Sequence, residues 1–239
     1  MQILPAIDIF EKKAVRLFKG NYAEMTVYGT PLEIACSFEE KGASYIHLVD
    51  LEGARAGEPS NFETVSSVIS SAKIPCEIGG GIRNISTVDK YVNAGADRII
   101  LGTSAVSDKA FLKESIKEFG TKIAVGVDAR DGIVSISGWT QQSGIPTLDF
   151  IGEMLSLGID TIICTDISKD GALAGTNTAL YREILSKYTL KLIASGGVTT
   201  IDDIKELKEC GTYGAILGKA VYNGNIDLCE AIAVGESRV

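Results

Sequence analysis

Short apolar runs alternate with amphipathic stretches along this chain. Apolar side chains at nearly every position of a short run are typical of strands buried on both faces of a parallel sheet. The segments between the runs, such as 31–42, 85–94, 108–119 and 200–210, carry apolar residues at helical spacing, and several end in glycine, a common helix cap. The pattern predicts eight strands: ILPAID, YIHLVD, IPCEIG, DRIILG, KIAVGVD, DTIICTD, LKLIAS and YGAILG.

The alternation of strands and helices predicts the fold class. Eight strand–helix units within 239 residues favour a (β/α)8 barrel, the TIM barrel, because a doubly wound sheet of this length usually has fewer strands. No low-complexity or proline-rich linker divides the chain. We therefore predict a single barrel domain over residues 1–239.

The second half of the chain repeats the first. A spacing of 116 residues relates Gly196 to Gly80, Gly197 to Gly81, Gly211 to Gly95, Gly218 to Gly102 and Asp166 to Asp50. Asp128 and Asp8 are 120 residues apart, so the early loops of the first half are longer. Self-similarity at a fixed period indicates a duplicated unit. We predict two similar half-barrels, roughly 1–120 and 121–239.

Composition and charge narrow the classes of partner. An apolar content of 45% is enough for a full core, and a net charge of −8 disfavours nucleic acid and anionic membranes. The first residues, MQILPAIDIF, lack the pattern of a signal peptide, and no apolar run is long enough for a membrane span. Five widely spaced cysteines favour reduced, packed thiols over disulfides or a zinc site. We expect a cytoplasmic protein and a monomer.

Glycines follow four of the predicted strands. Ligands of such barrels bind at the carboxyl ends of the strands, where glycine turns and helix N-termini direct N–H groups at a phosphate. Two pairs of neighbouring strands end this way, which predicts two phosphate sites and a small substrate with two phosphates. The alternative is that these glycines only make tight turns. The predicted phosphate-binding residues are Gly80, Gly81, Gly102, Thr103, Gly196, Gly197, Gly218 and Lys219.

Two acids end strands on opposite sides of the predicted ring. Asp8 follows the first strand and Asp128 the fifth, and a carboxylate pair can divide acid and base roles when the surroundings separate their pKa values. Either acid alone could instead cap a loop or form an ion pair. The single histidine, His47, and the absence of paired cysteines disfavour a metal site, and no nucleophile motif is present. Isomerisation by acid–base chemistry without a metal or cofactor fits best.

Several motifs resemble one known family across the whole chain. The segments PAIDIFEKKAVRLFKG, IHLVDLEGA, IGGGIR, GVDARDG, SGW, TDISKDGALAGTN, IASGGV and AILGKA are similar to those of the isomerases of histidine biosynthesis that act on ProFAR, phosphoribosylformimino-5-aminoimidazole carboxamide ribotide. The sister family, the cyclase subunit of imidazole glycerol phosphate synthase, has a cysteine before the first aspartate. Here that residue is Ile7.

The resemblance implies an Amadori rearrangement, in which an aminoaldose becomes an aminoketose. It implies that Asp8 is the general base and that Asp128 is the general acid, with Asp170 as a rival for the acid role; an Asp-Gly turn is the plainer interpretation of Asp170. It further implies that Arg16 and Arg83 contact phosphate or ribose oxygens, that Trp139 stacks on the imidazole or formimino plane, and that Thr165 lies at the floor of the site. If Thr165 faces inward, so does His47, to which we assign no catalytic role.

Two alternative functions stay open at this point. Relatives that also isomerise phosphoribosyl anthranilate in tryptophan biosynthesis have an arginine two residues before the tryptophan, where this chain has Ser137. That difference weakens, without excluding, a dual-substrate isomerase. The other alternative is a barrel that binds phosphorylated metabolites without catalysis.

Overall fold

The computed structural model describes residues 1–18, 21–170 and 175–237. Within these ranges the chain forms twelve strands: β1 (Gln2–Phe10), β2 (Lys13–Phe18), β3 (Asn21–Gly29), β4 (Ile46–Asp50), β5 (Cys76–Gly79), β6 (Arg98–Leu101), β7 (Ile123–Arg130), β8 (Ile133–Ile136), β9 (Gln141–Pro146), β10 (Thr161–Asp166), β11 (Lys191–Ser195) and β12 (Gly214–Leu217). The described α-helices are α1 (Pro31–Glu40), α2 (Leu51–Ala56), α3 (Phe62–Ser71), α4 (Ile85–Asn93), α5 (Thr103–Ser107), α6 (Lys109–Phe119), α7 (Thr147–Ser156), α8 (Thr178–Lys187), α9 (Ile201–Cys210), α10 (Lys219–Tyr222) and α11 (Leu228–Glu236).

Eight of the strands close into a parallel barrel. Each of β1, β4, β5, β6, β7, β10, β11 and β12 pairs in parallel with its neighbour, and the β10–β7 and β1–β12 pairings complete the ring. These are the eight predicted strands, so the (β/α)8 fold is confirmed. Closure pairs every edge of the sheet and sets β1 opposite β7, the strands that carry Asp8 and Asp128.

Four further strands lie outside the ring and were not predicted. β2 pairs antiparallel with the end of β1, with Asp8 opposite Val15, and β3 extends this hairpin. β8 pairs in the same way with the end of β7, with Asp128 opposite Ser135, and β9 follows it. Their sequences, such as QQSGIP in β9, lack a continuous apolar run. Only β2 and β8 have buried residues, two each, and the described side chains of β3 and β9 are all at least partly exposed. Both hairpins extend from the strands that end in the two acids.

The core has two parts, one inside the barrel and one between the barrel and its helices. The inner part is formed by Leu4, Ala6, Tyr45, Ile100, Ala124, Ile163, Ile193 and Ile216, all nearly inaccessible. Outside it, the helices pack their apolar faces on the ring through a larger cluster that includes Tyr91, Phe150 and Tyr181. No helix in the described ranges is both long and apolar enough to cross a membrane.

Local signals at the helix ends agree with the predicted boundaries. The Thr30 and Thr200 side chains cap α1 and α9 with reciprocal capping boxes. Gly211 ends α9 in the left-handed conformation, with φ of +86°, as expected of a helix cap. The cysteines differ in part from expectation: all five are free thiols, but Cys36 and Cys229 are exposed while Cys76 and Cys164 are buried.

Candidate active site

A cavity of about 300 Å³ opens at the carboxyl ends of the barrel strands. Every residue that the sequence indicated for the site lines it, although these residues come from both halves of the chain. They are Asp8, Arg16, Gly80, Gly81, Arg83, Gly102, Thr103, Asp128, Trp139, Thr165, Asp170, Gly196, Gly197, Gly218 and Lys219. The fold therefore assembles the predicted set in one place, while the role of each residue stays a prediction.

Two of the glycines are required by the backbone around them. Gly80 has φ of +113°, and a Cβ there would lie 2.2 Å from the carbonyl oxygen of Asp50. Gly197 has φ of +80°, and a Cβ there would lie 2.2 Å from the carbonyl oxygen of Gly175. Only glycine fits such a close approach in the left-handed region. These turns hold the rim of the cavity at the ends of β5 and β11, whatever ligand they contact.

Two short helices point their first turns at the rim. Gly102 precedes α5 with φ, ψ of −97°, −104°, and Gly218 precedes α10 with nearly the same values, −107° and −113°. Neither helix start has a side-chain cap hydrogen bond. The two rims, β5 with β6 and β11 with β12, face each other across the ring. The repeat in the sequence is thus a repeat in backbone geometry.

Asp8 is held by Arg16, which reaches it from the first hairpin. Their side chains form an ion pair with 2.7 Å between Nη1 and Oδ2. The same guanidinium donates to the carbonyl oxygen of Ala6 and lies 5.0 Å from the ring centre of Tyr222. Burial opposes the charge of Arg16, but Asp8, with Tyr222 and Asp170, raises its pKa above the ordinary value. Arg16 therefore stays charged and fixes the orientation of Asp8.

Asp128 has a different environment across the cavity. Burial raises the pKa of this carboxyl, and two hydrogen-bond donors, the indole N–H of Trp139 and the hydroxyl of Thr165, oppose the rise, as does His47 whenever its imidazole is protonated. Trp139 Nε1 donates to Asp128 Oδ2 at 2.8 Å, and Thr165 is the residue paired with Asp128 on the neighbouring strand. A raised pKa favours the protonated form, as a general acid requires.

The loop that carries Trp139 has an unusual backbone. Ser137, Gly138 and Trp139 are all left-handed, with φ of +56°, +61° and +70°. This region is disfavoured for a residue as bulky as tryptophan, and such conformations concentrate at functional sites. Here the turn directs the indole onto Asp128. The predicted stacking of Trp139 on a substrate ring stays a prediction, but its N–H is bonded to the acid.

The inward-facing residues of the second and sixth barrel strands are now settled. His47, Val49 and Thr165 line the cavity, whereas Asp50 and Asp166, the aspartates related by the 116-residue repeat, lie outside it. Asp50 is fully buried and accepts hydrogen bonds from the backbone N–H groups of Gly53, Ser60 and Asn61.

Asp50 and Asp166 form matching clamps, each with an asparagine. Asn61 Nδ2 donates to Asp50 at 2.8 Å, and Asn177 Nδ2 donates to Asp166 at 2.6 Å. The asparagines, like the aspartates, are related by the 116-residue spacing. The second clamp also places Asp170, whose backbone N–H donates to the carbonyl oxygen of Asp166 at 3.1 Å. These aspartates organise the loops around the cavity.

Three residues of the site were missed by the sequence analysis. Tyr22 lines the cavity from the first hairpin, and its hydroxyl donates to the carbonyl oxygen of Leu51 at 3.1 Å. A single tyrosine in a polar segment carries no sequence signal. Glu77 and Arg98, which lie inside the barrel below the cavity, did carry one, since each is a charged residue within an apolar strand.

Fold and site together define the class: a (β/α)8-barrel enzyme whose two carboxylates face one cavity across the ring. Residues 2–227 match the family model described as histidine biosynthesis protein. The chain belongs to this family.

Curated relatives match over nearly their whole length. The chain is 49% identical over 233 residues to a protein of Ruminiclostridium cellulolyticum, covering 97% of this chain and 99% of the relative. It is 48% identical over 239 residues to one from Clostridium acetobutylicum, covering both chains fully. A third, from Clostridium botulinum strain Kyoto, is 47% identical over 235 residues, covering 98% and 97%. All three are named 1-(5-phosphoribosyl)-5-((5-phosphoribosylamino)methylideneamino) imidazole-4-carboxamide isomerase.

Proposed function

We propose that this chain is the isomerase of the same compound, ProFAR, and converts the aminoaldose into the aminoketose in histidine biosynthesis. The observation that carries the proposal is the pair Asp8 and Asp128, which face one cavity from opposite strands in unlike environments. Family membership and the names of the relatives support the same conclusion. The residues to which we assign roles all lie in one chain, which supports a monomer as the working unit.

Substrate binding uses the two glycine rims. A phosphate at each end of the substrate accepts hydrogen bonds from backbone N–H groups, one at Gly80, Gly81, Gly102 and Thr103, the other at Gly196, Gly197, Gly218 and Lys219. Uncapped helix starts add favourable partial charge at both rims. Arg83 and Lys219 supply full positive charges beside the cavity. The net charge of −8 is thereby overcome locally.

The chemistry needs one proton donated and one removed. Asp128 protonates the furanose ring oxygen, the ring opens, and the nitrogen lone pair forms a protonated Schiff base at C1′. Asp8 then removes the proton from C2′, which gives an enolaminol. This intermediate becomes the ketose when a proton is added at C1′ and the C2′ hydroxyl loses its proton, and these two transfers return Asp8 and Asp128 to their starting protonation states. Atoms and charge balance, since the product is an isomer of the substrate. Each proton transfer supplies about 10²–10⁴ in rate.

Purified protein assayed with ProFAR by absorbance tests this proposal. We expect conversion by the wild type and none above background in Asp8→Asn, since the amide cannot accept the C2′ proton. Asp131→Asn is the matched control, because Asp131 is an exposed acid outside the cavity and asparagine tolerates its φ of +53°. No turnover by the wild type would contradict the proposal.

Single-turnover measurements decide which acid opens the ring. We expect Asp128→Asn to slow the chemical step by about 10²–10⁴. Asp170→Asn should leave the rate of the chemical step largely unchanged. If Asp128 is the acid, Asp170 contributes to the structure of its loop and does not contact the reacting atoms. If only Asp170→Asn abolished the step, the acid role would belong to Asp170.

The same preparations address the two alternative functions. Turnover of phosphoribosyl anthranilate would favour the dual-substrate isomerase. The sequence argues against this activity, because Ser137 occupies the position, two residues before Trp139, at which dual-substrate relatives have an arginine. If the barrel only binds its ligand, the wild type has no turnover, and Asp8→Asn changes the ligand affinity alone. Two acids facing an anionic ligand give such a binder no advantage.

A further inference from the structure

A charged cluster lies inside the barrel below the cavity. Glu77 is fully buried; one of its carboxylate oxygens lies 2.6 Å from His47 Nδ1, and the other accepts from Arg98 Nη1. The three residues occupy paired positions on neighbouring strands, His47 opposite Glu77 and Glu77 opposite Arg98. His47 in turn pairs with Ala6, two residues before Asp8. His47 therefore lies beside the strand that carries Asp8, one inward-facing position before it, and Glu77 and Arg98 continue the cluster on the next two strands.

Fold stability does not account for this cluster. Apolar side chains fill the adjacent barrel interior, among them Leu4, Ile100 and Ile193. Transferring a carboxylate into such surroundings carries a desolvation cost, and well-packed apolar residues in place of a buried ion pair are often neutral or stabilising. A charge retained there points to a task at the cavity above.

Hydrogen-bond chemistry determines the state of the imidazole. As the ion-pair partner of Arg98, Glu77 is a carboxylate and only accepts hydrogen bonds. Nδ1 of His47 must therefore carry the proton, and in the neutral ring Nε2 is then an acceptor. Because His47 lines the cavity while Nδ1 is bound to Glu77, Nε2 is the nitrogen available to a ligand.

The other end of the cluster is anchored independently. The guanidinium of Arg98 lies 5.1 Å from the ring centre of Tyr45, and Tyr45 donates its hydroxyl to Asp97 at 2.6 Å. Arg98 is thus held by a ring from below while it orients Glu77. The chain of contacts leads from the base of the barrel to the floor of the site.

We propose that Glu77, oriented by Arg98, is a positioning residue that keeps His47 in the Nδ1–H tautomer, so that Nε2 accepts a hydrogen bond from a substrate hydroxyl at the cavity floor. Glu77 acts through His47 and touches no substrate itself. The hydroxyl belongs to the sugar that is opened, because His47 pairs with Ala6, two residues before the proposed base Asp8, and both His47 and Asp8 line the cavity. Only the kinetic part rests on the proposed function.

The first test is the imidazole itself. The chain has a single histidine, so protein labelled with ¹⁵N-histidine and free of an affinity tag gives one imidazole in long-range ¹H–¹⁵N spectra. At a pH where the ring is neutral we expect Nδ1 protonated and Nε2 unprotonated. In Glu77→Gln the glutamine gives its oxygen to Arg98 and its amide N–H to Nδ1, so the proton should move to Nε2.

Tyr188→Phe is the control variant, because it removes a hydroxyl that donates to the carbonyl oxygen of Leu148 at 3.0 Å, away from the cavity and from the His47–Glu77–Arg98 cluster. The imidazole spectrum and the kinetics should be unchanged. An Nε2–H tautomer in the wild type would overturn the proposal even if Glu77→Gln failed to fold.

The second test is a kinetic cycle with ProFAR. His47→Asn keeps an N–H donor for Glu77 but removes the Nε2 acceptor. We expect Glu77→Gln and His47→Asn each to lower kcat/KM about tenfold to a hundredfold, and the double variant to lose no more than the worse single variant. Losses that multiply would show that Glu77 acts independently of His47 and contradict the proposal. An inactive wild type would instead contradict the proposed function and leave the tautomer result standing.

Discussion

Trp139 donates its indole N–H to Asp128 at 2.8 Å. It lies in a loop in which three consecutive residues have left-handed backbone conformation. The tryptophan therefore contacts the candidate acid rather than only the space in which a substrate ring would bind. It also acts on the acid electrostatically, since a donor at a carboxylate favours the ionised form.

Trp139→Phe is expected to raise the pKa of Asp128, because burial already raises it and the substitution removes a hydrogen bond that lowers it. A general acid loses activity as the pH rises through its pKa. The alkaline limb of the kcat profile should therefore move to higher pH, whatever happens to KM. A limb that stayed in place or moved to lower pH would show that Asp128 is not the acid.

Asp128→Asn is expected to stabilise the protein as the pH rises. The pKa of Asp128 is higher in the folded than in the unfolded protein, where it is about 3.9. Asp128 therefore stabilises the wild-type fold fully below the unfolded-state pKa, and this stabilisation is lost as the pH rises through the folded-state pKa. Asparagine does not titrate, so the gain in Tm over the wild type should be absent at low pH and grow towards neutrality. Thermal unfolding at several pH values measures it; Asp131→Asn, at an exposed site, should show no such trend.

Alanine at Gly80 or Gly197 is expected to lower the free energy of unfolding by about 2–5 kcal/mol. The backbone at both positions is left-handed, and the added Cβ would overlap a carbonyl oxygen. Gly224→Ala is the matched control: φ there is +73° but no atom lies within 4 Å of the added Cβ. It should cost only about 1–2 kcal/mol. Equal losses in urea unfolding would mean that the close approach is not what requires glycine.

Asn61→Asp and Asn177→Asp should each destabilise the fold by about 3–5 kcal/mol, because a second carboxylate replaces the donor beside a buried aspartate. Asn93→Asp makes the same change beside Asp89 on the exposed face of α4 and should cost no more than about 0.5 kcal/mol. Urea unfolding of the three variants compares them. Similar small effects at all three positions would refute the clamp interpretation.

Strands and helices could be predicted from the sequence wherever their side-chain types indicate which faces are buried. Runs such as DTIICTD are apolar because both faces of a barrel strand are covered, so all eight ring strands were found. The hairpins of β2–β3 and β8–β9 were not, because their pairing depends on the strands they extend and little of their surface is buried. The positions of the glycine rims, Asp8 and Asp128 followed from one rule, that strand ends meet at one face of the barrel, whereas Arg16, Arg83, Trp139 and Asp170 were predicted from resemblance to a family.

The side-chain contacts within the site could not be predicted from the sequence. Nothing in SGW indicates that Ser137 and Trp139, neither of them glycine, adopt positive φ. The sequence predicted that His47 faces inward if Thr165 does, and the structure places both side chains at the cavity. Arg16 carried an expectation of ligand contact, and the folded hairpin places it on Asp8.

Periodic burial and a 116-residue repeat in the sequence were enough to predict the barrel, its duplication, the glycine rims and the two strand-end acids, and resemblance to a family added Arg16, Arg83, Trp139 and Asp170. Tertiary structure alone decided which partner each side chain has: Trp139 with Asp128, Asn61 with Asp50, and Glu77 with both His47 and Arg98. Those pairings depend on strand register and loop conformation, which bring together atoms that neither periodicity nor spacing relates.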